Sequence, residues 1–271
     1  MEWYRKSAEQ GYPRAMCNLG YCYEAGIALD KDLTEAVFWY TKSAEKGYAR
    51  AQCNLAYLYD EGIGVERDYA VAIHWYSEAV KQNYPRAMCN LGYCYEMGHG
   101  VEKDLQEAAR YYAMGAEHGD AVSQCNLAWF CLNGVGVQKN LEKAFELFSK
   151  AAEQGNDRGM YNLGLCYDKG DGVHKDRVKA VEWYRKAAAR SHAGALYKMG
   201  EFTERGLGGL TQDMEKAKDY YRRAAEKGSE EAKKALERLD GAAPAAPAQP
   251  APQEETKEED QGGGFFKKFF K

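Results

Sequence analysis

The sequence predicts an all-α solenoid of antiparallel helix pairs followed by a disordered tail, on three observations. The stretch Tyr12–Glu24 returns unchanged at Tyr84–Glu96, and a looser copy at Tyr48–Asp60 lies midway, so the period is 36 residues. A period of that size marks stacked repeats, in which each unit packs on its neighbours and no single deep core is needed. Each unit then carries an apolar stripe at helical spacing, as in Ala15, Leu19, Cys22 and Tyr23, that stops at a recurring glycine. Finally, an Asp or Asn opens a second helical pattern built on a recurring alanine and an aromatic pair.

Taken in order, residues 1–11 match the second half of a unit, since Glu2-Trp3-Tyr4-Arg5-Lys6-Ser7-Ala8 recurs as Glu182-Trp183-Tyr184-Arg185-Lys186-Ala187-Ala188. Six full units follow over 12–228. In each, a first helix (helix A) ends at Gly26, Gly62, Gly98, Gly134, Gly170 or Gly206, the residue type best able to take a left-handed conformation after a helix. Asp32, Asp68, Asp104, Asn140, Asp176 and Asp213 are the expected N-caps of the second helix (helix B), four residues before Ala36, Ala72, Ala108, Ala144, Ala180 and Ala217. Pairs such as Trp39-Tyr40, Trp75-Tyr76 and Tyr220-Tyr221 supply buried area, while the alanines let the helices approach. Residues 229–239 keep the helix A spacing through Ala232 and Leu236 but are otherwise charged, the pattern of a polar cap. Residues 240–264 read as a disordered Ala/Pro-rich, acidic and Gly-rich linker, and 265–271 as a separate Phe/Lys tail.

With 37 basic and 41 acidic residues the net charge is −4 and the pI about 5.9, which leaves no continuous basic field for nucleic acid. No apolar h-region follows Met1, and no window approaches the roughly 18 apolar residues of a membrane span, so a cytoplasmic protein is expected. The eight cysteines all fall in repeat columns: Cys17, Cys53, Cys89 and Cys125 in one, Cys22, Cys94 and Cys166 in another, with Cys131 in place of a tyrosine. Within a helix the two columns diverge, and equivalent cysteines of neighbouring units sit about one helix diameter (~10 Å) apart, too far for a disulfide. Reduced thiols are expected.

The run Ala-x-x-x-Leu-Gly-x-x-Tyr-x-x-Gly-x-Gly-Val, an Asp, then Ala-x-x-Trp-Tyr-x-Lys-Ala, resembles the Sel-one-like repeat, a relative of the tetratricopeptide repeat, over residues 1 to about 239. The pattern departs from it at Gly26-Ile27-Ala28-Leu29, at Cys131 and at Thr203. The resemblance implies a right-handed superhelix whose helices A line a concave groove, and a non-enzymatic scaffold that holds a protein or peptide there. On helix A, the positions expected to face away from helix B bring Arg14, Tyr21, Arg50, Tyr57, Arg86, Tyr93, Trp129, Arg158, Tyr161 and Tyr197 into that groove. The column of Cys17, Cys53, Cys89 and Cys125 would share it, with Glu24, Asp60 and Glu96 along one border. Arginine and aromatic residues in a concavity are the types that anchor peptides.

Other chemistry is weaker. No Cys-x-x-Cys pair exists, so converging zinc ligation is not expected, and His74, His99, His118, His174 and His192 share no metal-ligand spacing. An arginine one turn from a cysteine could lower its pKa, but no resolving cysteine lies within reach. Cysteine-rich relatives of this repeat family have been labelled β-lactamases, and Ser43-Ala44-Glu45-Lys46 fits Ser-x-x-Lys. The same column nevertheless reads Ala151 and Ala224 elsewhere, and Ser-Asp-Asn and Lys-Thr-Gly are missing. No catalytic residue and no cofactor are expected. In the tail, Phe265, Phe266, Phe269 and Phe270 would share one helical face opposite Lys267, Lys268 and Lys271, the layout of an interfacial helix. The expected function is a protein-protein interaction adaptor, with a membrane-tethered structural factor recruited through the tail as the alternative and a β-lactamase-like hydrolase further behind.

Overall fold

The computed structural model describes residues 2–241. All of their regular structure is α-helical, with no strand among the described residues. The helices are α1 (Glu2–Glu9), α2 (Pro13–Ala25), α3 (Leu33–Glu45), α4 (Ala49–Glu61), α5 (Tyr69–Lys81), α6 (Pro85–Met97), α7 (Leu105–Glu117), α8 (Ala121–Asn133), α9 (Leu141–Glu153), α10 (Asp157–Lys169), α11 (Arg177–Ala189), α12 (Ala193–Arg205), α13 (Met214–Glu226) and α14 (Glu230–Gly241). The even-numbered helices are the expected helices A and the odd-numbered ones the helices B.

Two compact units are present, with described parts 2–139 and 140–241. In the first, α1 to α8 pack each on the next in chain order; in the second, α9 to α14 do the same.

The turns obey the chemistry expected of them. Asp32 accepts from the Thr34 and Glu35 amides, and Asp68 and Asp104 repeat the arrangement. A cap of this type is worth about 1 kcal/mol. Gly26, Gly62 and Gly98 close α2, α4 and α6 at φ between 66° and 79°, where a Cβ is strained.

The core of each pair is the second aromatic of helix B. Tyr40, Tyr76, Tyr112 and Tyr184 are all 0 % exposed. They enter because helix A offers a small residue opposite them: a Cβ built on Gly20 or Gly92 would lie 2.9 Å from the ring of Tyr40 or Tyr112, and on Gly164 or Gly200 2.6 Å from Tyr184 or Tyr221. In α14 the equivalent residue is Glu237, so no aromatic-bearing helix can seat there and the second unit is closed by a charged face. The helix runs slightly past the expected cap: Asp240 and Gly241, read from the sequence as linker, belong to α14, and Lys218 pairs with Asp240 at 2.7 Å. The rest of the linker and the tail Phe265–Lys271 lie outside the described residues.

Candidate partner-binding face

Arginine and aromatic residues seven positions apart on helix A share a face two turns long. In the first unit this applies to Arg14 and Tyr21 on α2, Arg50 and Tyr57 on α4, and Arg86 and Tyr93 on α6, followed by Trp129 on α8. Arg14 and Arg50 are exposed, and Arg86, the three tyrosines and Trp129 are half-buried. The helices lie side by side, because each cysteine in the column between arginine and tyrosine is covered by the next helix A. The Asn54, Asn90 and Asn126 side chains donate to the sulfurs of Cys17, Cys53 and Cys89 at 3.8–3.9 Å. The arginines and aromatics therefore form two parallel rows across α2, α4 and α6.

Two columns expected on this face are elsewhere. The cysteines are buried, with Cys17 at 0 % and Cys53 at 1 % exposure. Burial pushes the thiols of Cys17 and Cys53 up to about 12, against the smaller opposing pull of Arg50 and Arg86. Desolvation thus wins over the arginine effect that would have made a reactive thiolate. All eight cysteines are buried and free.

The carboxylate column is also displaced. Glu24 accepts from the Tyr40 hydroxyl at 2.7 Å, Asp60 from Tyr76 at 3.3 Å and Glu96 from Tyr112 at 2.6 Å. The acids expected along the border instead turn toward their own helix B, and Asp60 and Glu96 are buried. Desolvation first, then the neighbouring carboxylate, raises the pKa of Tyr40, Tyr76 and Tyr112. These tyrosines are hydrogen-bond donors throughout the physiological range. Their pairing went unforeseen, although the columns signal it: where Leu132 replaces the acid, Phe148 replaces the tyrosine.

With Glu24, Asp60 and Glu96 turned toward helix B, Arg14 and Arg50 stand exposed on the first unit. Among the described residues neither Arg14 nor Arg50 has an ion-pair partner. Nor does this face hold a metal site: no group of three or more His, Cys, Asp and Glu side chains placed to bind a metal exists among the described residues.

The second unit differs. Arg158 and Tyr161 lie on α10 and Tyr197 on α12, all half-buried. Tyr161 stacks on His192 with ring centroids 4.6 Å apart, and Tyr197 lies against Tyr221. An open cleft of about 500 Å³ next to Tyr197 is lined by Glu201, Glu204, Arg205, Lys234 and Arg238, and its charges neutralise one another. Glu201 pairs with Lys198 at 2.9 Å and Arg205 at 3.3 Å, and Glu204 accepts from Arg238 and Tyr221, each at 2.7 Å. Sequence reasoning missed this cleft because its Glu204–Arg238 pair joins α12 to α14, thirty-four residues apart, where no local pattern links them.

Ser43, the serine of the Ser-x-x-Lys match, is 0 % exposed, and its hydroxyl donates to the Pro13 carbonyl at 2.7 Å. It ties α3 to α2 and is closed to substrate. No described helix is long and apolar enough to cross a membrane.

The model of the Sel1 repeat matches residues 1–12, 13–48, 49–84, 85–120, 121–156, 157–192 and 193–229. The chain belongs to the Sel1 repeat family. A protective antigen of uropathogenic Escherichia coli strains, displaying an SLR fold, is 35% identical with a TM-score of 0.72 over 88% of this chain. The chain spans about half of that protein's length, 51%. A Sel1 repeat protein from Oxalobacter formigenes is 31% identical with a TM-score of 0.73, covering 82% of this chain and 88% of its own. An immunity protein of Pseudomonas aeruginosa, at 20% identity and a TM-score of 0.55 over 78% of this chain and 81% of its own, shares the fold. No curated protein sequence matches significantly. Sel1 repeat chains are in general helical, non-enzymatic scaffolds for protein interaction.

Proposed function

We propose that this Sel1 repeat chain is an adaptor that holds a protein or peptide segment on the helix A face of its first unit. The observation that carries the reading is the double row: exposed, ion-pair-free Arg14 and Arg50 beside half-buried Tyr21, Tyr57 and Tyr93, repeated from helix to helix. Half-buried tyrosines hold their rotamers at low entropic cost and offer both a ring and a hydroxyl, and arginine offers a planar fork of donors. A face of this kind binds by burial and hydrogen bonding, and nothing in it calls for a nucleophile or a cofactor.

The test is selection of a random peptide display library on the full chain and on a variant carrying Arg50→Ala, Tyr57→Ala, Arg86→Ala and Tyr93→Ala. The native chain is expected to enrich a family of related peptides and the variant to lose it while retaining its helical circular dichroism. Enrichment of the same peptides by both proteins would move the binding surface elsewhere.

A further inference from the structure

The bond between a helix A acid and a helix B tyrosine recurs along the chain and is broken at one place. Glu24, Asp60, Glu96 and Glu204 accept from Tyr40, Tyr76, Tyr112 and Tyr221. Tyr184 stands in the same column, sixteen residues beyond Asp168, and is 0 % exposed, yet its buried hydroxyl has no hydrogen-bond partner among the described residues. Burial first and the Asp168 charge next raise the Tyr184 pKa, so that carboxylate lies nearby without accepting the bond.

Asp168 is held from the other side. The Arg177 Nε donates to Asp168 Oδ1 at 3.2 Å. Arg177 is the first residue of α11, and the residues that open α3, α5, α7, α9 and α13, which are Leu33, Tyr69, Leu105, Leu141 and Met214, carry no charge. The one arginine in that column thus coincides with the one tyrosine that lacks its acid. An aspartate also reaches the inner position less well than a glutamate: Asp60 stands 3.3 Å from its tyrosine hydroxyl, the glutamates 2.6–2.7 Å. The Arg177–Asp168 pair is partly open to water, with side chains 45% and 17% exposed, and an exposed ion pair is weak and screened by salt. Leaving a buried hydroxyl without an acceptor is costly. The two arrangements of Asp168 are therefore close in free energy.

We infer that Asp168 is a two-position latch: Arg177 holds it outward, and when dissolved anions take the guanidinium the carboxylate turns in, accepts from Tyr184 and tightens the α10–α11 pair. Lys198, the other cation near Asp168, is paired with Glu201 at 2.9 Å and does not compete for it. The ring of Tyr184 lies 6.0 Å from that of Tyr161 on α10, so the exchange bears on the helix A face of the second unit. This latch is independent of the adaptor reading, which concerns the first unit.

The experiment is native-state hydrogen exchange of the full chain in a cycle of Tyr184→Phe and Arg177→Gln, with Tyr112→Phe as the reference for an intact bond. At about 0.05 M salt Tyr184→Phe should change the exchange rates of α10 and α11 by no more than about twofold, since it removes an unsatisfied hydroxyl, whereas Tyr112→Phe should speed α6 and α7 about thirtyfold. In the Arg177→Gln background, where Asp168 has turned in, Tyr184→Phe should speed α10 and α11 at least about tenfold. Raising salt to about 0.5 M should move the native chain toward the same behaviour, so that the effect of Tyr184→Phe grows at least about threefold. Arg177 is exposed, and its replacement should leave the helical circular dichroism unchanged. An effect of Tyr184→Phe at low salt as large as that of Tyr112→Phe, the same effect with and without Arg177→Gln, or an effect that does not grow with salt would each overturn the inference.

Discussion

Replacing Tyr112 by Phe isolates the interaction that turns the carboxylates away from the candidate face. The ring is 0 % exposed and lies edge-on to Phe130 at 5.4 Å, contacts that Phe retains. What disappears is the hydroxyl that donates to Glu96 at 2.6 Å, next to a carboxylate that is 8% exposed. A hydrogen bond to a charged group contributes about 1.5–3 kcal/mol, and water has little access to replace it, so a loss near 2 kcal/mol is expected. Tyr40→Phe is the internal control, because Glu24 is half-buried and solvent can substitute; its cost should be about 0.5–1 kcal/mol. Repeat arrays do not unfold as a single cooperative block, so the assay is native-state hydrogen exchange of α6 and α7 amides in the full chain, supported by urea melts. In the Tyr112→Phe protein those amides should lose protection by about 2 kcal/mol while α2 and α3 are spared. Should Tyr112→Phe cost no more than Tyr40→Phe, the burial of the carboxylates does not depend on the tyrosine hydroxyls, and the account of why the acids leave the face fails with it.

The thiols give a second prediction: the native protein should react slowly with a maleimide at neutral pH, because Cys17, Cys53 and Cys166 are buried and pushed up to about 12, whereas all eight should label after denaturation whether or not reductant is added first. A gain in labelling after reduction would reveal disulfides. A third concerns pH. His192 caps α12 by accepting the Ala195 amide on Nδ1 at 3.2 Å, and burial, opposed by Asp157 and assisted by Arg158, holds its pKa below the usual 6.5. The unfolded chain therefore binds a proton more readily than the folded one, so this contribution is complete above about pH 6.5 and is lost as pH falls through the folded-state value. Protection of α12 amides should decline over that window in the native chain but not in His192→Asn, which supplies the capping group found at Asn156; equal pH dependence in both would refute the assignment. Gly92→Leu should unfold the α6–α7 pair by several kcal/mol, because even a Cβ would lie 2.9 Å from the Tyr112 ring; a protein with native protection there would show that the pair can separate freely.

Helix identity was legible in the chain itself because its determinants are local. The N-cap carboxylate of Asp32 reaches amides two and three residues on, Gly26 takes a left-handed conformation on its own account, and the alanine-aromatic pattern of α3 repeats with helical spacing. The same locality made Arg14, Tyr21, Arg50 and Tyr57 readable as one face, since positions seven apart on a helix must align. What tertiary structure alone decided was which columns of that face stay open. A helical wheel assigns a direction about one axis, but burial depends on what the next helix puts there. Cys17 and Cys53, which a wheel directs away from helix B, share core clusters with Tyr40 and Tyr76 of that helix and are covered by the following helix A through Asn54 and Asn90. Glu24, Asp60 and Glu96 lie in the last turn of helix A, close enough for the hydroxyl of a buried tyrosine sixteen residues on to hold them. Those partners lie on the following helix, where a wheel drawn about one helix axis does not reach, and they take the acids of Glu24, Asp60 and Glu96 off the face that carries exposed Arg14 and Arg50.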